Sequence, residues 1–126
     1  MTKKLQILLF VAFCLVAIPT VRAQSMTGVF ENLTANKQSG DLDGMRLTIF
    51  KAGAGDAYHV IAQIAGGGAD DPEPVLVDAT VKGHTITFKV GEVKYTGTMT
   101  ATRLRVKAEG GSSESLRRKP SSEFFR

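Results

Sequence analysis

The chain has 126 residues, with 16 Lys and Arg against 12 Asp and Glu, and it contains one cysteine and no tryptophan. A single cysteine excludes an internal disulfide framework and a cysteine-based zinc site. The length predicts one domain with a modest hydrophobic core.

Residues 1–23 have the pattern of a signal peptide. Two lysines precede an apolar run at residues 5–18, and Val21-Arg22-Ala23 is typical of a cleavage site. The run is shorter than the ~20 apolar residues that span a bilayer. The sequence therefore predicts cleavage after Ala23, loss of Cys14 with the signal, and a secreted bacterial protein in the periplasm or outside the cell.

Cleavage changes the charge balance of the protein. Three of the basic residues lie before residue 24, so the mature chain keeps 13 basic and 12 acidic residues. The basic character of the precursor is therefore poor evidence for a nucleic-acid partner.

Within the mature chain, residues 24–119 are predicted to form a single β-domain. A first strand is expected at residues 28–34, followed by a polar loop at 35–44. Residues 45–51 and 58–65 alternate apolar and polar side chains, and pairing Ile49 with Val60 keeps both apolar rows on one face. A loop rich in glycine, aspartate and proline ends this hairpin.

Residues 75–108 form the clearest pattern, one alternation interrupted by three short turns. The predicted turns are Lys82-Gly83, Gly91-Glu92 and Ala101-Thr102. They place Ala79 opposite Ile86, Phe88 opposite Tyr95, Ile86 opposite Gly97, and Met99 opposite Leu104. A last short strand is expected at 114–118, and residues 120–126 are expected to be a disordered tail.

These elements predict an all-β fold, an antiparallel up-and-down meander of about eight short strands. The meander is expected to form a small barrel or half-open calyx, with a β-sandwich as the alternative. No helical periodicity appears in the mature chain.

The Gly28-Val29-Phe30 segment resembles the Gly-x-Trp of the first lipocalin strand, with Phe30 in the place of Trp. In that family an Arg near the last strand packs over the Trp, and Arg117 or Arg118 could take its place here. The chain also resembles small exported bacterial meander proteins of unknown function, on residues 82–88 and 95–97. The lipocalin and avidin (calycin-like) resemblance implies a small ligand in the barrel mouth.

The residue inventory favours binding over catalysis. His59 and His84 have no second strong metal ligand at a suitable spacing, and the sequence has no Gly-x-Ser-x-Gly elbow. We therefore expect no enzyme activity and no cofactor. The leading hypothesis is a non-catalytic exported barrel that binds a small apolar ligand or a partner. The predicted interior ligand-binding residues are Tyr58, Phe88, Tyr95 and Met99.

The alternative hypothesis is a cell-envelope protein-interaction module with a filled core, which binds partners through its outer surface. Five basic residues take outward positions on the meander: Lys89, Lys94, Arg103, Arg105 and Lys107. Such a face suits an anionic glycan, a lipid headgroup or a protein partner. It carries no aromatic residue, so stacking on nucleic acid is not expected. A second outward set is apolar and predicts self-association into a homo-oligomer: Phe50, Ile61 and Leu76.

Overall fold

The computed structural model describes residues 25–100 and 102–120, and every regular element within them is a β-strand. The predicted signal peptide, the position of Ala101 and residues 121–126, most of the predicted tail, lie outside the described residues. The strands are β1 Gly28–Glu31, β2 Thr34–Ala35, β3 Leu42–Asp43, β4 Met45–Lys51, β5 Ala57–Ile64, β6 Val75–Lys82, β7 Thr85–Val90, β8 Val93–Met99, β9 Arg103–Ala108 and β10 Ser113–Arg118. In these two ranges, no helix has the length and hydrophobicity needed to cross a membrane.

Eight of the strands form one closed antiparallel barrel. The order around it is β1-β10-β9-β8-β7-β6-β5-β4, so chain neighbours from β4 to β10 are also spatial neighbours. The remaining two strands, β2 and β3, form a separate two-stranded ribbon. The predicted meander of about eight strands is confirmed, and the fold is a closed barrel and not the alternative sandwich.

Most of the predicted registers are confirmed. Ile49 lies opposite Val60 in the β4–β5 hairpin, Phe88 opposite Tyr95 between β7 and β8, and Met99 opposite Leu104 between β8 and β9. Each pair joins two inward-facing side chains, which is what a buried barrel face requires.

The predicted turn between β6 and β7 is wrong by one position. The turn residues are Gly83 and His84, so Val81 lies opposite Ile86 and Ala79 opposite Phe88. Gly83 has a φ of 60°, whereas His84 has no positive φ. A positive φ at the first turn residue alone fits a type II′ turn, while the predicted turn would have required it at Lys82. The register moves by two residues, so each side chain keeps its face.

The first strand is shorter than predicted, because it ends at Glu31 instead of continuing to Thr34. The β2–β3 ribbon begins at Thr34, the last residue of the predicted first strand, and its other residues lie in the segment predicted as a polar loop; Thr34 lies opposite Asp43. Between the two, Asn32 connects three barrel strands at one end. Its Oδ1 accepts from Met45 N at 2.8 Å, and its Nδ2 donates to Glu114 Oε2 at 2.9 Å.

The barrel interior is a single cluster of buried apolar side chains. Its largest fully buried members come from six different strands: Phe30, Leu47, Ile49, Val60, Ile86, Leu104, Val106 and Leu116. A Cβ on Gly97 would lie 2.8 Å from Ile86 Cγ2 and 3.1 Å from Leu104 Cδ1. The glycine therefore provides the space that these two large side chains fill, as the sequence predicts. Eight strands enclose a volume that side chains can fill.

Arg118 closes the seam between the first and last strands. Its guanidinium carbon lies 4.6 Å from the centre of the Phe30 ring, and its two terminal nitrogens donate to Thr27 O and Ser25 O at 2.7 and 2.6 Å. A Cβ on Gly28 would lie 2.8 Å from Arg118 Nη1. Of the two arginines suggested by the lipocalin resemblance, Arg118 makes the aromatic contact. Burial lowers the pKa of Arg118 below its ordinary value.

The barrel wall is less continuous at one rim. Pairing between β6 and β7 covers Ala79–Lys82 and Thr85–Phe88, whereas the first half of β6 pairs only with β5. Val75, which the alternation places in the inward row, is 42% exposed there. This exposure follows from its place at the rim, where no β7 residue covers it.

Candidate functional site

The predicted interior residues do not all meet. Tyr58, Phe88 and Tyr95 share one cross-strand row, which passes through Ala79. The Phe88 and Tyr95 rings stack at 5.3 Å with an angle of 9° between their planes. Met99 lies four residues beyond Tyr95 on β8, or about 13 Å along the strand. Its sulfur lies 3.8 Å from Arg118 Nη2, in the seam.

The outer surface of β7 to β10 has a uniform composition. Six outward residues are basic and six carry hydroxyl groups, and none of the twelve is acidic, apolar or aromatic. We call this surface the outer basic face. Its basic members are all exposed: Lys89, Lys94, Arg103, Arg105, Lys107 and Arg117. Its hydroxyl members are Thr85, Thr87, Thr96, Thr98, Ser113 and Ser115.

Two pairs of like charges lie directly opposite each other on the outer basic face. Lys89 faces Lys94 between β7 and β8, and Arg103 faces Arg117 between β9 and β10. Like charges in directly opposite positions of a sheet are destabilising. The barrel therefore keeps a charge arrangement that its own stability does not require.

Little within the described residues neutralises the outer basic face. Lys89 Nζ lies 3.7 Å from Glu92 Oε2, but that carboxylate side chain is 99% exposed. Exposed pairs of this kind stabilise weakly. The other five basic residues form no ion pair with any described residue. The face therefore presents a strongly positive surface to solvent.

Arg117 is the basic residue that the sequence prediction missed. The lipocalin resemblance offers Arg117 or Arg118 as the partner of the Phe30 ring, and Arg118 makes that contact. The sequence does contain a signal that Arg117 faces outward. It is the alternation of the last strand, in which Ser113, Ser115 and Arg117 lie on the side opposite to buried Leu116.

Two shallow grooves border the outer basic face. One, of about 280 Å³, is lined by Lys94, Thr96, Lys107, Ala108, Glu109 and Gly110. The other, of about 310 Å³, is lined by Glu31, Asn32, Leu33, Thr34, Arg103, Ser115, Arg117 and Lys119. The first groove lies at the Lys107 end of β9, and the second lies at the Arg103 end.

The opposite surface, formed by the outward residues of β4 to β6, contains the predicted apolar patch of Phe50, Ile61 and Leu76. Ile61 lies directly opposite Leu76, which is 63% exposed, and Phe50 lies diagonally across from Ile61. The Phe50 ring packs 5.5 Å from the His59 ring. The structure thus brings the three residues together, and their role in self-association stays a prediction.

Charges at the border of the opposite surface are compensated. Glu31 accepts from Arg46 Nε at 2.7 Å and lies 2.6 Å from Lys119 Nζ. Burial by itself would raise the pKa of Glu31, but the hydrogen bonds and positive charges of Lys119 and Arg46 together lower it below its ordinary value. On the same surface, His59 Nδ1 lies 2.9 Å from Asp78 Oδ1, without the geometry of a hydrogen bond.

The remaining sequence candidates do not form a catalytic group. His59 lies on β5, whereas His84 lies in the β6–β7 turn. Among residues 25–100 and 102–120, no group of three or more His, Cys, Asp or Glu side chains is arranged to hold a metal ion. The absence of enzyme activity stays a prediction.

No family model, no curated protein and no solved structure matches this chain. The fold itself defines the class, a small closed antiparallel β-barrel that is consistent with a calycin-like fold.

Proposed function

We propose that the protein is a non-catalytic, exported binding module that engages an anionic partner through its outer basic face. The observation that carries this proposal is the composition of the face, where all twelve outward residues are cationic or hydroxylated. Outward positions of an ordinary solvated sheet mix both signs of charge. Here the positive charge of a nearly neutral mature chain is concentrated on one half of the barrel.

The filled interior supports an outer binding surface over an interior one. Large apolar side chains from β1, β4, β5, β7, β9 and β10 occupy the barrel centre. Since these side chains stabilise the fold, the outward residues of β7 to β10 are not needed for the core. The two like-charge pairs support the same conclusion, because a sheet selected for stability alone would avoid them.

The proposed binding is electrostatic and therefore sensitive to salt. The Debye length is about 8 Å at physiological ionic strength, which is comparable with the spacing of neighbouring cations on adjacent strands. The potentials of these cations add at the surface, and an anion with several charges is attracted by the summed potential. The signal-peptide pattern of residues 1–23 predicts export. The proposed partner is therefore expected in the bacterial envelope or outside the cell.

Retention of the exported protein on a heparin column under a salt gradient tests the proposal. We expect wild type to need more salt for elution than the double variant Arg105→Glu/Lys107→Glu. The matched control is Lys37→Glu/Lys51→Glu, which makes the same change in net charge at exposed positions away from the face. Equal losses in the two double variants would show that net charge, and not this face, causes retention.

A second candidate function is supported by the rim between β6 and β7. Val75 is 42% exposed at this rim, Val93 at the start of β8 is 40% exposed, and Val77 and Val90 are partly buried against the core. A small apolar ligand could contact these valines and reach the stacked Phe88 and Tyr95 rings. Fluorescence of a hydrophobic dye, compared between wild type and Val75→Ser/Val93→Ser, tests this candidate. Unchanged dye fluorescence in the double variant would argue against it.

A further inference from the structure

We propose that the partner of the outer basic face is a linear acidic polysaccharide whose chain runs along β9. This inference rests on the proposed function and specifies its ligand. It is supported by the line of cations, by the hydroxyl groups beside them and by the grooves at the two ends of that line.

The cations of the outer basic face follow a line instead of forming a disc. Arg103, Arg105 and Lys107 occupy alternate positions of β9, at steps of about 7 Å along the strand. Lys94 lies diagonally beyond Lys107 on β8, because Thr96 is the residue directly opposite Lys107. At the other end, Arg117 lies directly beside Arg103. A polymer with repeated negative charges matches this arrangement better than a compact anion does.

Hydroxyl groups flank the line on both sides. Lys107 lies between Thr96 and Ser113, and Arg105 lies between Thr98 and Ser115, each pair directly opposite across the strands. A hydroxyl both donates and accepts hydrogen bonds, so it can pair with the hydroxyl groups of a sugar. The guanidinium groups supply the two-pronged contact that suits carboxylate or sulfate. An acidic polysaccharide carries both kinds of group in one chain.

The two grooves extend the line at both ends. The groove at Lys94 and Lys107 and the groove at Arg103 and Arg117 are separated by Arg105 in the middle of β9. A polysaccharide that lies along β9 therefore contacts the first groove, then the guanidinium of Arg105, and then the second groove. This order defines a path for the proposed polymer across the barrel.

The same face is poorly suited to the other common polyanions. Single-stranded nucleic acid is usually held by aromatic side chains that stack on the bases, and none of the twelve residues is aromatic. Peripheral membrane proteins usually add apolar side chains that enter the lipid, and the face has none. A convex barrel also touches a flat bilayer over a narrow strip.

The test measures binding of fluorescein-labelled polygalacturonate fragments of increasing length to the exported protein, by fluorescence anisotropy at fixed salt. We expect the affinity to rise with length until the fragment spans both grooves, and then to level off. Lys94→Ser and Arg103→Ser, at the two ends, should each weaken binding of the long fragments roughly tenfold, since each removes a charge-assisted contact. Both should weaken binding of the disaccharide less than binding of the long fragments. Arg105→Ser should weaken binding of every fragment, and Lys51→Ser is the matched control.

The outcomes separate this inference from the function on which it rests. Affinity that does not depend on fragment length would overturn the linear arrangement. Binding to phosphatidylglycerol vesicles or to single-stranded DNA, with no binding to polygalacturonate, would keep the outer basic face as a binding surface and overturn the polysaccharide. Failure to bind any of these polyanions would overturn the proposed function itself. Thermal melts of each variant confirm that a loss of binding does not come from unfolding.

Discussion

The outer basic face and the opposite surface of β4 to β6 lie on the same barrel. They differ in whether their charged residues lie beside partners of opposite charge. At the border of the opposite surface, Arg46 is neutralised by Glu31, and within it Asp78 lies beside His59. On the outer basic face, Arg103 lies opposite Arg117 with no acidic partner within the described residues. Both surfaces cover the same apolar interior. The difference shows that the fold depends on inward residues and leaves outward residues available for binding.

Replacing an interior residue should have a much larger effect than replacing an exposed residue on either surface. Phe88 is 3% exposed and stacks on Tyr95, so Phe88→Ala should lower the free energy of unfolding by about 3–5 kcal/mol. Leu76→Ala, at a residue 63% exposed, should change it by less than about 0.5 kcal/mol. Urea unfolding of the two variants makes the comparison. Equal losses would mean that the apolar patch also belongs to the core.

The seam should show a clear contrast between two neighbouring arginines. Arg118→Ala removes a cation–π contact and two hydrogen bonds to carbonyl groups, and should cost about 2–3 kcal/mol of stability. Arg117→Ala removes an exposed member of the outer basic face and should change stability by less than about 0.5 kcal/mol. Thermal melts of both variants test the contrast. A stable Arg118→Ala protein would show that the seam closes without the guanidinium.

The compensated border should respond to acid in a way that the outer basic face does not. The folded pKa of Glu31 lies below its ordinary value, so its stabilising contribution is complete above that value and is lost as the pH falls through the folded pKa. Wild type should therefore lose more stability than Glu31→Gln when the pH falls from about 6 to about 3. Urea midpoints across this range measure the difference, and Glu92→Gln, at an exposed position, should follow wild type. Parallel curves for wild type and Glu31→Gln would contradict the assignment.

The smallest expected effect is a gain in stability when one basic residue of the outer basic face is replaced. Arg103→Glu converts a like-charge pair with Arg117 into an opposite-charge pair, and should raise stability by about 0.2–1 kcal/mol. Arg105 faces only Thr98 and Ser115, so Arg105→Glu should give no such gain in stability. Both variants should lose affinity for heparin. A loss of stability in Arg103→Glu would show that the guanidinium contributes to the barrel itself.

Much of the barrel could be predicted from sequence because alternation and turn chemistry agree. Apolar side chains at every second position identify the inward row, and Gly91 fixes the β7–β8 register. The β6–β7 turn was misplaced because the alternation is unchanged by a shift of two residues. Only the backbone conformation of Gly83 distinguishes the two registers. The short β2–β3 ribbon was missed because strands of two residues each are too short to show an alternation.

The outer basic face was largely predictable, because the side of each residue follows from its position in the strand. Arg117 was missed because both arginines were offered as partners of Phe30, although the alternation around Leu116 assigns Arg118 to the inward side and Arg117 to the outward side. Alternation alone leaves an anionic glycan, a lipid headgroup and a protein partner as alternatives for this face. The proposed choice among them depends on how four strands arrange their outward residues relative to one another, which the strand pairing shows.

The seam also sets the order in which this chain can fold. Arg118 binds the carbonyl groups of Ser25 and Thr27, contacts that span 93 and 91 residues of sequence. Hairpins such as β4–β5 and β7–β8 can form as soon as their own residues are available, whereas the ring cannot close before its last strand is present. Contacts of such long range form slowly because the loop they close is large. The barrel is therefore completed only when residues from its first and last strands have come together.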